Sequence, residues 1–344
     1  MGIKLGSLFK AKTISYEDLS GRIVIIDAYN VLHQFLASIR TRDGSPLMNS
    51  DGKVTSHLTG LLHRTGNLVE AGIKPVYAFD GKPHLLKART LEERMKRKEL
   101  AQKEWEEAIE AGDLARARSK AQQTGRLTEE MVGEAKELLS ALGIPFVQAK
   151  SDGEAQASFM VSRGDGFAVG SQDFDCLLFG SPVLLRNLTS SGKRKLPGKQ
   201  AYVKVVPKML RLEESLEQLE ISREQLVWMA VVMGTDFNEG VFGIGPKTAL
   251  KMAKKHESLE EILDVLKKKD KKVPSLELAE QVADIFLNPD VTKDYSLSWG
   301  GVDESAVVDL LVNRNRFSRE RVMASLKTFG GGVKESKQKN LFDF

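Results

Sequence analysis

The sequence predicts an α/β fold: a twisted, largely parallel sheet with helices on both faces. Two observations carry this. Short, near-continuous apolar runs recur through the first half of the chain, each closed by an acid or a turn, and helical patterns alternate with them. A third sets the outline. A long polar segment at 82–127 interrupts the alternation, and after residue 220 the sequence reads as helix throughout.

The clearest strands are Arg22–Asp27 and Pro75–Asp80. Ile144–Gln148, Gly166–Gly170 and Ser181–Arg186 have the same character at shorter length. Helical spacing covers 54–71 and 128–142, the latter opening on Thr128 with two glutamates behind it, an N-cap followed by acids in the first turn. The segment 82–127 is rich in Lys, Arg, Glu, Gln and Ala. It predicts helix without a wide apolar stripe, hence a weakly packed segment projecting from the body. Arg186–Lys199 holds five basic residues, no acids and two glycines, which predicts a basic hairpin or loop. Ile221–Met233 predicts an apolar helix closing at Gly234-Thr235-Asp236. The glycine-rich stretch from Gly240 then leads into a Lys-rich helix ending near His256.

Composition bounds the function. With 344 residues and 41% hydrophobic content, the chain has enough apolar material for a sizeable core, which excludes a disordered chain. Cys176 is the only cysteine, so neither an intramolecular disulfide nor a Cys-based zinc site is open to it, in keeping with a reducing compartment. The five histidines form no metal-binding spacing, and no run approaches the roughly 18 apolar residues of a membrane span. The first ten residues are too interrupted for a secretory signal. The expected location is cytoplasmic, or nuclear in a eukaryote. The net charge of +4 decides nothing, but its distribution does: Lys82–Glu104 carries eight Lys/Arg against four Glu, and Lys247–Lys272 nine Lys against five acids.

The acids carry the sharpest signal. Asp27 and Asp80 close the two clearest strands, Asp152 and Glu154 follow the third, and Asp173 and Asp175 follow the fourth. In a wound parallel sheet these strand ends share one edge, where sites form. Asp236 is a seventh candidate. Clustered anions without His or Cys favour hard cations, Mg²⁺ or Mn²⁺. Two such ions are a common apparatus for cutting phosphodiesters. Each acid taken singly also reads as an N-cap or turn residue. Gly240 and Gly245 have the spacing that opens a phosphate-binding loop, but Pro246 stands where its lysine would follow, which disfavours nucleotide binding.

Together these motifs resemble the XPG-type structure-specific 5′ nucleases, the flap endonucleases, and most of all their archaeal members. The resemblance rests on Met1–Lys4, Ile26–Asn30, Phe79–Pro83, Asp152–Gln156, Ser171–Cys176, Gly192–Pro197, Gly234–Asp236 and Gly243–Lys247, in this order and spacing. It implies seven carboxylates holding two Mg²⁺ ions: Asp27, Asp80, Asp152, Glu154, Asp173, Asp175 and Asp236. The family has Glu where this chain has Asp152, one methylene shorter, which leaves room for a water between carboxylate and metal. The resemblance makes 82–127 the family's helical arch. Lys87 and Arg94 then lie near the scissile phosphate, and Arg40 and Arg64 bind the backbone close by. His33 stands where the family commonly has a Tyr that stacks on a nucleobase. The stretch around Gly243, Gly245, Lys247, Lys251 and Lys254 becomes a helix–two-turn–helix on duplex DNA, with a K⁺ ion in its turn. The basic segment Lys193-Arg194-Lys195 is a further DNA contact. Gln338, Leu341 and Phe344 resemble a peptide that binds the sliding clamp PCNA, ending before the pattern's second aromatic.

The implied organisation is an N-terminal nuclease region at 1–98, the remainder of the arch at 99–127 and an internal nuclease region at 128–258. A helical region at 259–332 and a clamp-binding tail at 333–344 complete it. The implied activity is metal-dependent 5′ flap cleavage, with 5′–3′ exonuclease activity, in Okazaki-fragment processing, replication and base excision repair, by a monomer. Two alternatives remain open on sequence: another metal-dependent RNase or phosphatase, and a catalytically impaired junction-binding clamp adaptor.

Overall fold

A computed structural model describes residues 5–41, 43–190, 193–195 and 202–330. Its first half contains β1 (Lys12–Thr13), β2 (Ile23–Asp27), α1 (Ala28–Ser38), α2 (Ser56–Glu70), β3 (Lys74–Phe79), α3 (Ala88–Glu110), α4 (Leu114–Ala121) and α5 (Glu129–Ala141). Then come β4 (Phe146–Gln148), α6 (Gly153–Ser162), β5 (Ala168–Gly170), α7 (Asp175–Leu178), β6 (Val183–Arg186), β7 (Lys193–Lys195), β8 (Tyr202–Lys204) and β9 (Lys208–Arg211). Helices α8 (Leu212–Leu219), α9 (Arg223–Met233), α10 (Pro246–Lys255), α11 (Leu259–Lys268), α12 (Leu276–Leu287), α13 (Glu304–Val308) and α14 (Arg319–Gly330) complete the chain.

Seven strands form one sheet in the order β1-β9-β6-β5-β2-β3-β4. The five expected from sequence, β2 to β6, are its parallel core. β9 and β1 extend it antiparallel beyond β6, and sequence reading missed both. They are short, and β9 buries only Leu210, so neither leaves a recognisable apolar run. The basic hairpin exists as β7 against β8, its second strand lying beyond the expected bounds.

Alternate residues of the parallel strands feed two separate cores, which is why their sequences are apolar throughout. Ile25, Val76, Ala78, Val169 and Leu184 pack with α6, α7 and α9 on one face. Val24, Ile26, Tyr77, Phe79 and Leu185 pack with α1, α2, α5 and α14 on the other. Thr128 caps α5 as expected, its hydroxyl accepting the Met131 N–H at 3.2 Å. Ser222 and Gln225 form a reciprocal capping box at the start of α9.

The polar segment after Asp80 is a helical hairpin. Asp113 caps α4, accepting the Arg116 N–H at 2.9 Å. α3 and α4 meet along Ala101, Ala108, Ala117 and Ala121, all buried. The missing apolar stripe is thus replaced by a narrow seam of alanines with one half-buried indole, Trp105, on the same face of α3 as Ala101 and Ala108. One half-buried ion pair, Lys120–Glu104 at 2.7 Å, braces it.

Candidate active site: a carboxylate edge beneath a cationic helix

The parallel core delivers its acids to one edge. Asp27 is the last residue of β2 and caps α1, its Oδ1 accepting the Asn30 N–H at 3.1 Å. Asp80 follows β3 directly and accepts the Gly153 N–H at 2.7 Å. That bond draws the start of α6 against the end of β3. A Cβ at Gly153 would lie 2.8 Å from Asp80 Oδ1 and 3.0 Å from the Ala78 carbonyl, so only glycine fits between Asp152 and Glu154. Asp152 occupies the N-cap position of α6 and Glu154 its first turn. Asp173 lies in the β5–α7 loop and Asp175 opens α7.

Two polar side chains knit the edge together. The Asn30 amide donates to Asp173 Oδ2 at 3.0 Å. The Ser171 hydroxyl lies 3.1 Å from Glu154 Oε1 and 3.4 Å from Asp27 Oδ2, and accepts the Asp173 N–H at 3.2 Å. Neither residue stands out in the sequence as part of a site, although they lie inside the motifs Ile26–Asn30 and Ser171–Cys176. Asn30 sits three residues after Asp27, one helical turn along α1, and that spacing was the available signal.

Crowding raises the acids' proton affinity. Burial first, then the charges of Asp80 and Asp173, push Asp27 up to about 8. Burial and Asp152 push Asp80 up to about 6, against the pull of Lys87 and Arg94. Glu154 is held well above the usual carboxylate range by burial and by Asp27, Asp175 and Asp173. Cys176 lies beneath it, its sulfur 3.8 Å from Glu154 Oε1, and burial pushes its thiol up as well.

Cationic side chains from the arch base cover this edge. Lys87 pairs with Asp152. Burial works against its charge, but Asp152, Asp80 and Glu154 outweigh that and hold the ammonium above its ordinary range. The Lys87 ammonium also lies 5.0 Å from the centroid of Phe237. Arg94 grips both oxygens of Asp236, at 2.6 and 2.5 Å, and the Thr90 hydroxyl donates to the Asp236 carbonyl at 2.8 Å. Arg89 pairs with Glu239 in the same loop. The start of α3 is therefore clamped to residues 236–239, and the charge of Arg94, which holds Asp236, also reaches Asp80.

An oxygen-only donor set of mutually repelling carboxylates suits hard divalent cations. Among the described residues, no three such side chains converge on one point as they stand. Lys87 and Arg94 bring positive charge to the same edge.

The remaining predicted residues fall into three groups. His33 is on α1 with solvent access, yet the surrounding protein, Lys98 and Arg94 push its imidazole down to about 4, so it is neutral. Arg40 is committed to the Leu36 and Gly44 carbonyls at 2.9 and 2.8 Å and to Thr124 at 3.3 Å, tying α1 to the foot of the arch. Arg64 lies on α2, with Tyr16 within range of its charge. On α10, Lys247 and Lys251 are exposed, and Lys254 pairs with Glu220 at 2.6 Å. Gly243 and Gly245 form the turn before that helix. The backbone of Lys193, Arg194 and Lys195 is strand β7. Met1–Lys4, the remainder of Gly192–Pro197, and Gln338, Leu341 and Phe344 lie outside the described residues.

A parallel sheet with acids at four strand ends, roofed by a cationic helix, defines a class of phosphodiester-cutting enzymes. Residues 1–101 match the XPG N-terminal domain and residues 143–236 the XPG I-region. The chain is 49% identical over 327 residues to flap endonuclease 1 of Staphylothermus marinus, covering 94% of this chain and 92% of that one. It is 48% identical over 342 residues to flap endonuclease 1 of Thermococcus onnurineus, covering 99% and 98%. The solved structure of flap endonuclease-1 from Methanococcus jannaschii superimposes with a TM-score of 0.75 at 41% identity, covering 95% and 98%. The chain belongs to the flap endonuclease 1 family.

Proposed function

We propose that this chain is a structure-specific 5′ flap endonuclease, with 5′–3′ exonuclease activity, that cuts DNA where single strand meets duplex and leaves a 3′ hydroxyl and a 5′ phosphate. The observation that carries this is the set of strand-end carboxylates with cations over them, Lys87 paired with Asp152 and the charges of Lys87 and Arg94 both acting on Asp80. Asp27, Asp80, Asp152, Glu154, Asp173, Asp175 and Asp236 would hold two Mg²⁺ ions, with Mn²⁺ as a substitute. When bound, the ions supply an activated water and offset charge on the scissile phosphate. Asn30 and Ser171 hold Asp173 and Glu154 in place. Once freed from Asp152 and Asp236, Lys87 and Arg94 offer fixed positive charge to a phosphate at the same edge. His33, being neutral, can stack on a base without adding charge.

The exposed lysines of α10, together with the basic sequence of the hairpin, give this reading its sequence-independent DNA affinity, with K⁺ in the helix–two-turn–helix turn. The division at residues 98, 127, 258 and 332 belongs to the same proposal, as do monomeric action, a clamp-binding role for Gln338, Leu341 and Phe344, and replication and excision-repair roles in the cytoplasm or nucleus. Among the described residues no helix is long and apolar enough to cross a membrane.

The test is a 5′-labelled flap duplex incubated with Mg²⁺, with chelator, and with Asp173→Ala. Cleavage at the junction should occur only in the first. Cleavage that survives chelation or the substitution sinks the reading, and tight binding without cleavage by the native protein supports an impaired adaptor instead.

A further inference from the structure

The loop that carries Asp236 continues into a second turn whose tip is Phe242. At 91% exposure it is the most exposed large apolar side chain among the described residues, and the only aromatic one in that group. The geometry forces the exposure. The Ile244 N–H donates to the Val241 carbonyl at 3.1 Å, closing a four-residue turn in which Gly243 takes φ +81°. Phe242 is the leading corner of that turn, where the side chain points away from the body. Nothing in the fold needs a phenyl ring there, since Val241 beside it supplies the buried contact.

One cation lies beside the ring, and more are exposed on the helix that follows. The Lys271 ammonium donates to the Phe242 carbonyl at 3.3 Å and lies 6.0 Å from the ring centroid. Exposed Lys247 and Lys251 follow one turn apart on α10, whose opposite side buries Ala249, Met252 and Ala253 in the core. A lone exposed ring with one ammonium beside it and exposed lysines on the following helix suits a ligand with phosphates spaced around an apolar strip. The deoxyribose-lined minor-groove edge of duplex DNA is such a ligand.

We propose that Phe242 is a duplex-binding residue that packs on sugar and groove-edge atoms while Lys247, Lys251 and Lys271 meet the flanking phosphates. The contact is apolar and independent of base sequence, and it sets the register of the duplex relative to the loop bearing Asp236. This rests on the flap-endonuclease reading above.

The test compares native protein, Phe242→Ala, Phe242→Tyr and Lys251→Ala by fluorescence anisotropy on a labelled plain duplex across a salt series, in chelator so that nothing is cut. Phe242→Ala should bind about three- to tenfold more weakly with an unchanged salt slope, because burying part of a phenyl ring releases no counterions. Phe242→Tyr should stay within about twofold of native. Lys251→Ala should lower the slope by about one. The exposed ring leaves melting temperature unaffected, and Lys271 keeps its bond to the backbone carbonyl in every variant. Native-like affinity of Phe242→Ala, or a weakening that comes with a reduced salt slope, overturns the proposal. So does an effect confined to self-association of the protein. If the native protein neither binds duplex nor cuts a flap, the functional reading itself fails. If it does both while Phe242→Ala matches it, only the role of Phe242 falls.

Discussion

Asp27→Asn should stabilise the metal-free protein while abolishing cleavage. Asp27 is 4% exposed and its carboxyl is pushed from 3.8 up to about 8. A carboxyl raised in the folded state contributes stability that is fully present below 3.8 and is lost as pH rises toward 8. At pH 7 the single-site loss reaches on the order of 4 kcal/mol, at 1.36 kcal/mol per pH unit. Asp80 and Asp173 share the repulsion, so removing one charge should recover roughly 2–4 kcal/mol. Asparagine is nearly isosteric: its oxygen still accepts from Asn30 N–H, and its amide can donate to the Ser171 hydroxyl. For a chain of this size the gain is a few degrees in Tm. The assay is thermal melting of both proteins in chelator at pH 4, 6 and 8, repeated with Mg²⁺. The variant's advantage should be near zero at pH 4 and greatest at pH 8, and Mg²⁺ should stabilise the native protein more than the variant. An advantage equal at pH 4 and pH 8, or none at pH 8, refutes the account of a cluster strained by its own charge.

Lys87→Ala and Arg94→Ala should each lower single-turnover cleavage by about 10²- to 10³-fold with little change in duplex affinity, measured by quench-flow beside anisotropy. An equal loss of affinity would make them binding residues. Ser171→Ala should leave Glu154 without its hydroxyl donor and weaken Mg²⁺ binding by about tenfold in titration calorimetry, and an unchanged affinity removes Ser171 from the site. Ala117→Leu should force the arch helices apart, costing about 1–3 kcal/mol locally. It should speed proteolysis within 88–121 while leaving the sheet's melting transition in place. Flap affinity should fall steeply between 50 and 200 mM salt, and a flat salt response would contradict the phosphate-binding role of α10 and the hairpin.

What the sequence makes legible follows from how local each signal is. β2 and β3 are apolar on both faces because each feeds two cores, and an acid closes each run, so strand and site appear together at Asp27 and Asp80. β9 offers one buried leucine in four residues, and β1 offers none, so their places in the sheet come only from pairing with β6 and with each other. The arch hairpin escapes periodicity for a related reason, since alanines at its seam are indistinguishable from alanines on a solvated helix. Lys87 and Arg94 look like any other charges of a basic helix, and only the family resemblance singles them out. Asn30 and Phe237 act through partners more than 100 residues away in the chain, and Ser171 bridges Glu154, 17 residues away, to Asp27, 144 residues away. No spacing rule reaches that far, although Asn30 at one turn from Asp27 could have been suspected.

The alanine seam has a consequence for how the molecule comes apart. The seam holds four alanine methyls and the half-buried Trp105, so opening α3 from α4 exposes less apolar surface than opening the sheet, which cannot open without breaching both of its cores at once. The end of the hairpin far from the clamps at the start of α3 is therefore the part expected to open before the sheet. Backbone amides around the α3–α4 turn should exchange with solvent through a low-energy opening to which β2 and β3 are blind, leaving the strand-end carboxylates on a platform that stays shut while the span above them breathes.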